Sequence, residues 1–513
     1  MQSKNFFSKI LSRTVLTVIL ILLQILLLLF IVSRYAATHL PILVILNTLS
    51  LFIVLYIVKR DDNSSYKLIW VITIMAFPAI GGLFYLYLGD KRPAKRMRKK
   101  MNSEHYSLGR LLKQNESVLE RIEPRIRCTA KYLKKESGCP VRENTEAEYF
   151  SCGEELFPVL LSELKKATHS IYLEFFIISH GVFWDSVLDI LEKKAADGVD
   201  VRLIYDDMGS MSSLPAKYPE ILSEKNIKTM KFNPFIPLVS VIMNHRDHRK
   251  IIVIDGKTAF TGGINLADEY INTKQRFGYW KDTAVMIKGD AAWNFTALFA
   301  EMWNPFSKDK IIFNEDNSPV ITEKNEKAKG FFQPFGDSPL DNEQVSESVY
   351  LEIISNAREY VYIFTPYLVI DDQMKTALTL AAKRGVDVRI VTPGIPDKKT
   401  VFRITRSYYQ SLVCSGVKIY EFTEGFIHAK SIVSDDRTAV VGSINMDFRS
   451  LYLHFECGVL MMSNYGGEIP AIMKLKEDCL ETFKRSHSIK QRESRAYGRS
   501  ILDSLLKLLG PLV

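Results

Sequence analysis

Two stretches of the chain, HRKIIVIDGKTAFTGGIN at 248–265 and HAKSIVSDDRTAVVGSIN at 428–445, carry one pattern. Each has a histidine, a lysine two residues on, then an aspartate, a glycine and an asparagine at identical spacings, 180 residues apart. A chain built this way must contain two copies of one unit. A second repeat agrees. AADGVDVRLIY (195–205) and AKRGVDVRIV (382–391) share GVDVR, offset by 187 residues. In both copies an amphipathic run precedes the glycine and a β-branched run follows it, which reads as a helix, its glycine C-terminus and a strand. Strand-like runs upstream, SIYLEFFII (170–178) and EYVYIFTPYLV (359–369), complete a strand–helix–strand unit in each half. The expected fold is α/β, with two similar lobes in a pseudo-twofold arrangement.

The motif spacing has a chemical meaning. KIIVIDG and KSIVSDD read as strands, so His248 and Lys250 share a face, as do His428 and Lys430. Asn265 and Asn445 follow glycine turns that bring an amide back beside them. Two such groups around one centre suit a phosphodiester. The lysines offset charge on the non-bridging oxygens, the asparagines donate to them, and the histidines supply a nucleophile and an acid. With two lysines present this chemistry does not require a metal or another cofactor. His245 falls opposite Gly425 and has no counterpart, so His248 is the repeated histidine.

The first 90 residues are of another kind. Val15–Ser33, Leu40–Val58 and Leu68–Leu88 are apolar runs near the ~20 residues a helix needs to cross a bilayer. The first run is too long for a signal peptide, and no small-x-small cleavage site precedes the second. In the third, Pro78, Gly81 and Gly82 are expected to kink the helix or admit a neighbour. Of the net charge of +9, seven positive charges lie in KRPAKRMRKK (91–100), with no acidic residue among them. Beside an apolar run and without interleaved aromatics, that cluster suits anionic lipid rather than nucleic acid. If all three runs cross, the positive charges divide almost evenly between the two sides. If one run is re-entrant, both ends of the chain share a side and the charge rule becomes decisive. The six cysteines are scattered, with no CxxC pair, and imply neither a zinc site nor a disulfide framework.

The paired motifs resemble the HKD motifs of the phospholipase D superfamily over residues ~146–510. FPAIGGLFYLYLGDKR and GGINLADEY…WKDTAV are in addition similar to bacterial cardiolipin synthases. The resemblance implies two phospholipase D-like lobes whose motifs meet at one site, and a phosphohistidine intermediate. It gives the nucleophile's role to His248 and that of general acid, then base, to His428, although the sequence treats the two alike. It places a carboxylate beside each histidine, at Asp282 and Glu456. Asp255 and Asp435, motif members in the catalytic set, are expected to orient their surroundings. Ser443 stands where the first motif has Gly263, and its hydroxyl is expected on the substrate phosphate with Asn265 and Asn445. The implied activity is membrane-bound transfer of a phosphatidyl group between two phosphatidylglycerols. The implied location is the bacterial cell membrane, with the lobes on the cytoplasmic side.

A hydrolase, or a transferase using another head group, would carry the same motifs, and an inactive membrane scaffold would not need them intact. His169, His180 and His454 read as structural or exposed, Arg246 and Arg249 as loop charges or as ligands of a lipid phosphate, and Trp280 and Trp303 as core or interface residues. The expected layout is a membrane region (1–90), a basic linker (91–145), the first lobe (146–310), an inter-lobe linker (311–345) and the second lobe (346–513). The second lobe ends in an amphipathic helix whose apolar positions are 501, 502, 505, 508, 509 and 512.

Overall fold

The computed structural model describes residues 30, 40–89, 95–235, 244–313, 327–341, 343–464 and 468–512. The first apolar run thus lies outside the described residues, except for Phe30. The second forms helix α1 (Leu40–Lys59). The third, a candidate span with a kink expected at Pro78, folds as two helices, α2 (Ser64–Ala76) and α3 (Pro78–Leu88). The break has a local cause. Proline drives the residue before it out of the helical region, so Phe77 adopts φ −135° and ψ 70°, and Pro78 opens the next helix.

Helix α3 returns antiparallel along α2. Tyr85 meets Trp70 edge-on at 5.4 Å, and the Tyr66 hydroxyl donates to the Gly89 carbonyl at 3.2 Å, closing the open end of the hairpin. Glycines permit this closeness. A Cβ on Gly81 would lie 2.7 Å from the Thr73 carbonyl oxygen, and one on Gly82 would lie 2.3 Å from Ser50 Oγ on α1. Ile53, Ile57, Ile69, Trp70 and Ile74 form the core between the helices, while Phe52, Leu55, Leu68, Ile72 and Met75 face outward. Among the described residues no helix is long and apolar enough to cross a membrane.

The stretch expected as a basic linker forms three helices, α4 (Lys95–Leu111), α5 (Glu116–Glu120) and α6 (Pro124–Glu136). Ile126, Ala130 and Leu133 of α6 pack into the core of the second lobe.

The first lobe contains β1 (Thr145–Phe150), β2 (Ser170–Phe175), β3 (Asp200–Asp206), β4 (Lys228–Phe232), β5 (Ile251–Ile254), β6 (Thr258–Gly262), β7 (Tyr279–Lys281) and β8 (Ala284–Gly289). The second contains β9 (Phe331–Asp337), β10 (Tyr360–Phe364), β11 (Leu368–Val369), β12 (Asp387–Pro393), β13 (Lys418–Phe422) and β14 (Gly425–Ile427). It continues with β15 (Ser431–Ser434), β16 (Thr438–Gly442), β17 (Met446–Asp447), β18 (Glu456–Met462) and β19 (Ser486–Ser488). The first sheet runs β1-β8-β6-β5-β2-β3-β4 and the second β19-β13-β12-β10-β15-β16-β18-β9. Read from opposite ends the two orders match strand for strand, with β19 added, so the repeat seen in the sequence is a repeat of topology. Strand β9 falls in the stretch expected to be linker. Helices follow the β2 and β10 strands, and Gly198 (φ +89°) and Gly385 (φ +95°) end them as the GVDVR repeat indicates. Side chains from the sheets and helices of both lobes, among them Tyr172, Val253, Phe295, Val433, Val459 and Phe483, share one core between the lobes.

Asp255 and Asp435 stand in the turns after β5 and β15, with φ of +51° and +55°. Their carboxylates accept from backbone N–H groups that open the neighbouring strand: His169 and Ser170 at 2.7 and 2.8 Å, and Glu359 and Tyr360 at 3.0 and 2.9 Å. They lie at the far ends of β5 and β15 from the lysines, roughly 13 Å away for four residues of strand. These aspartates therefore set the register of the sheets rather than join the site. Replacing Asp255 with alanine is expected to cost about 2–4 kcal/mol of stability, read as a lowered unfolding temperature, while turnover per folded molecule is retained.

Candidate active site

Both motif histidines lie on the junction of the lobes, and backbone pairing puts them there. The His428 N–H donates to the Lys281 carbonyl at 2.7 Å, extending the parallel pair β7–β14. The equivalent pairing is the Asp247–Phe455 bridge, from which the His248 N–H donates to the Phe455 carbonyl at 3.0 Å. Each catalytic strand is thus held by a segment of the other lobe.

The consequence is a crossed pair of histidine–carboxylate contacts. His248 Nδ1 lies 2.8 Å from Glu456 Oε1, and His428 Nδ1 lies 2.7 Å from Asp282 Oδ2. The four side chains are buried, with the histidines 9% and 10% exposed. A carboxylate on Nδ1 fixes the tautomer and leaves Nε2 for chemistry. Neither lobe supplies a complete pair alone.

Lys250 and Lys430 lie on the same faces. Lys250 Nζ donates to the His248 carbonyl, while Lys430 Nζ donates to the His428 carbonyl and lies 2.7 Å from His428 Nδ1. Burial lowers Lys250 to about 8 and Lys430 to about 7. Burial and the nearby lysines lower His428 to about 4, against the pull of Asp282, and hold His248 well below the usual imidazole range. His248 also feels Lys430 and His428, so the two motifs share one field. Burial raises the Glu456 carboxyl well above its usual range.

The remaining site residues divide. Ser443, expected on the substrate phosphate, has its hydroxyl on Glu456 Oε2, and it accepts from the Cys457 N–H at 3.0 Å. The Ser450 hydroxyl donates to Glu456 Oε1. The Asn265 amide is committed as well, accepting from the Ile177 N–H at 3.0 Å and donating to the Tyr270 hydroxyl at 2.7 Å. Asn445 keeps a buried Oδ1 with no hydrogen-bond partner among the described residues. Gly263 has its own reason to lack a side chain: a Cβ there would lie 2.1 Å from Asp282 Oδ1. The GGIN and GSIN variants thus suit a short carboxylate packed on backbone and a longer one held by a hydroxyl.

Arg246 and Arg249, read as loop charges, are buried. Arg246 donates to the Asn233 carbonyl at 2.9 Å, and Arg249 reaches the Leu298 and Asp337 carbonyls between the lobes. His245 is buried beside the Leu453 carbonyl. Trp280 lies 5.4 Å from His428, with Tyr270 at 5.5 Å. His454 lies 5.5 Å from His248, a proximity the sequence reading missed. Its signal was positional: His454 precedes Glu456 by two residues, as Trp280 precedes Asp282.

Two imidazoles on carboxylates, with two buried lysines beside them, thus meet at the junction of the lobes. The "Cardiolipin synthase, PLD-like domain" family matches residues 160–303 and 350–484, one match in each lobe. The phospholipase D–nuclease N-terminal family matches residues 45–89. A cardiolipin synthase of Geobacillus kaustophilus is 33% identical over 476 residues, 92% of this chain and 93% of that one. One from Alkalihalophilus pseudofirmus is 32% identical over 90% of this chain and 92% of its own. An uncharacterized protein of Streptococcus mutans is 41% identical over 90% of this chain and 99% of its own. Among solved structures, a phosphatidylserine synthase of Haemophilus influenzae has the same fold, with a TM-score of 0.56 at 13% identity, covering 75% of this chain and all of that one. The chain belongs to the cardiolipin synthase family of the phospholipase D superfamily, and is a phosphatidyltransferase.

Replacing Gly263 with serine is expected to displace Asp282 and lower turnover roughly 100-fold. Steady-state kinetics beside a thermal melt check this. Full activity in a folded Gly263→Ser protein would contradict the packing account.

Proposed function

We propose that the protein makes cardiolipin from two molecules of phosphatidylglycerol. The crossed histidine–carboxylate pairs carry this reading. His248 Nε2 attacks phosphorus, the bond to the glycerol head group breaks, and His428, which the negative charge of the bound phosphodiester protonates against burial and the lysines, gives the departing oxygen its proton. A phosphatidyl group then sits on His248. The terminal hydroxyl of the second phosphatidylglycerol loses its proton to His428 and attacks phosphorus, which frees His248 and gives cardiolipin and glycerol. Burial favours a neutral His248, as a nucleophile requires. Lys250 and Lys430 offset the phosphoryl charge. Ser443 contributes through Glu456, whose position it holds. The small exposure of both imidazoles favours an acceptor lipid over water.

Phosphatidylglycerol vesicles supplied to the purified protein, without added metal, are expected to yield cardiolipin and one glycerol per cardiolipin by mass spectrometry. Asparagine at His248 or at His428 lowers the rate at least ~1000-fold. Phosphatidic acid as the main product would make the protein a hydrolase.

We further infer that runs 15–33 and 40–58 cross the membrane and that the α2–α3 hairpin enters and leaves on one side. At 1.5 Å per residue the hairpin's arms measure roughly 20 and 16 Å, short of the ~30 Å hydrocarbon core. Asn63, at its entry, donates to Asp371 Oδ2 at 3.0 Å and to the Tyr452 hydroxyl at 2.9 Å, so this end rests on the second lobe. The N-terminus, the 59–67 loop, the basic 91–100 cluster and the lobes then share one side, with Arg34 opposite. The positive-inside rule makes that side cytoplasmic. In a background without reactive native thiols, Thr38→Cys is expected to react with an impermeant maleimide in intact cells. Ser3→Cys should react only after permeabilisation, and the reverse pattern would contradict this topology.

A further inference from the structure

The two halves of the site are alike in backbone and unlike in one ring. Gly263 donates to the Thr283 carbonyl at 3.0 Å, as Ser443 does to that of Cys457 at 2.9 Å. That equivalence aligns Trp280-Lys281-Asp282 with His454-Phe455-Glu456. The ring beside His428 is therefore an indole, and the ring beside His248 an imidazole, tilted 42° to it at 5.5 Å.

The His454 imidazole is in an unusual state. Its side chain is 11% exposed, close to the 9% of His248. Neither of its ring nitrogens has a hydrogen-bond partner among the described residues. Nδ1 is 3.9 Å from Glu456 Oε1, beyond hydrogen-bonding distance. Buried polar atoms without partners are costly, and at functional sites they await a ligand. Burial and the charges of Arg449 and Lys250 hold His454 well below the usual imidazole range, so it is neutral and offers one N–H and one lone pair.

His248, His454 and Glu456 offer ligand atoms within 4.8 Å of one another, a spacing that also suits a metal ion. The surrounding charge decides against a cation. Arg449, Lys250 and Arg246 all raise the positive potential at His454. An anion is favoured there, and the anion that reaches His248 is the phosphoryl group.

We propose that His454 is a third active-site imidazole, donating a hydrogen bond to a phosphoryl oxygen of the group carried on His248. This rests on His248 as the nucleophile of the proposed reaction. The role belongs to the phosphoryl-bound state, so it is expected in kcat more than in KM.

The test uses tungstate, a phosphate mimic, and calorimetry on the full-length protein, which reads the site without any lipid substrate. His454→Phe keeps a ring and removes the N–H. His454→Asn keeps an N–H at similar reach. The expected result is a tungstate affinity at least about tenfold weaker in the Phe variant, largely restored in the Asn variant. kcat falls in parallel and KM changes little. Equal tungstate affinity in the parent and the Phe variant would overturn the proposal, as would a parent that does not bind tungstate. Inhibition by Zn2+ that vanishes in the Phe variant, with tungstate binding unchanged, would overturn it in favour of a metal site. A parent that binds tungstate through His454 yet makes no cardiolipin would refute the lipid assignment and leave this inference standing.

Discussion

Each catalytic histidine takes its carboxylate from the opposite lobe, Glu456 for His248 and Asp282 for His428. Most of the remaining architecture serves that exchange. A carboxylate that must reach across an interface needs the interface fixed to a fraction of an ångström. The β7–β14 pair and the Asp247–Phe455 bridge fix it with backbone hydrogen bonds, and the shared core of both sheets stiffens it. Arg249, on the face of its strand opposite His248 and Lys250, bonds to carbonyls of both lobes. Arg249 thus helps hold the lobes together while His248 and Lys250, on the other face, point to the site.

The symmetry is a starting point from which the two halves have departed. Asp282 packs against the backbone of Gly263, whereas Glu456 is held by the hydroxyls of Ser443 and Ser450. His428 is walled by Trp280, Phe426 and Tyr270, while His248 faces His454 and Phe176. In the proposed reaction, attack on phosphorus and proton transfer to an alcohol make different demands, and two different surroundings stand ready for them on one backbone plan.

Much of this was legible in the chain. The twofold motif gave the topology, the histidines and the lysines, because alternation along a strand is a strict period. The positions of Asp282 and Glu456 followed from resemblance, but their exchange between lobes did not, since sequence order carries no information about which lobe a strand end faces. Ser443 was misplaced for a similar reason: a hydroxyl beside a phosphate motif satisfies a buried carboxylate equally well. The third apolar run was a candidate span by length, and its Pro78 announced the break; that the two arms close into a hairpin depends on the Trp70–Tyr85 and Tyr66–Gly89 contacts, which residue order does not show. The burial of Arg246 and Arg249 was hidden because charged residues are rarely buried, and the compensating carbonyls come from distant segments.

A lipid with a good leaving group separates the roles of the two carboxylates. Phosphatidyl-p-nitrophenol needs no acid to depart, so the first step reports the nucleophile alone, and the release of nitrophenol in the first turnover measures it. The crossed arrangement predicts that Glu456→Gln, which disorients His248, loses the burst. Asp282→Asn, which disorients His428, keeps the burst and then stalls with phosphatidyl-histidine detectable by mass spectrometry. A burst kept in Glu456→Gln and lost in Asp282→Asn would contradict it.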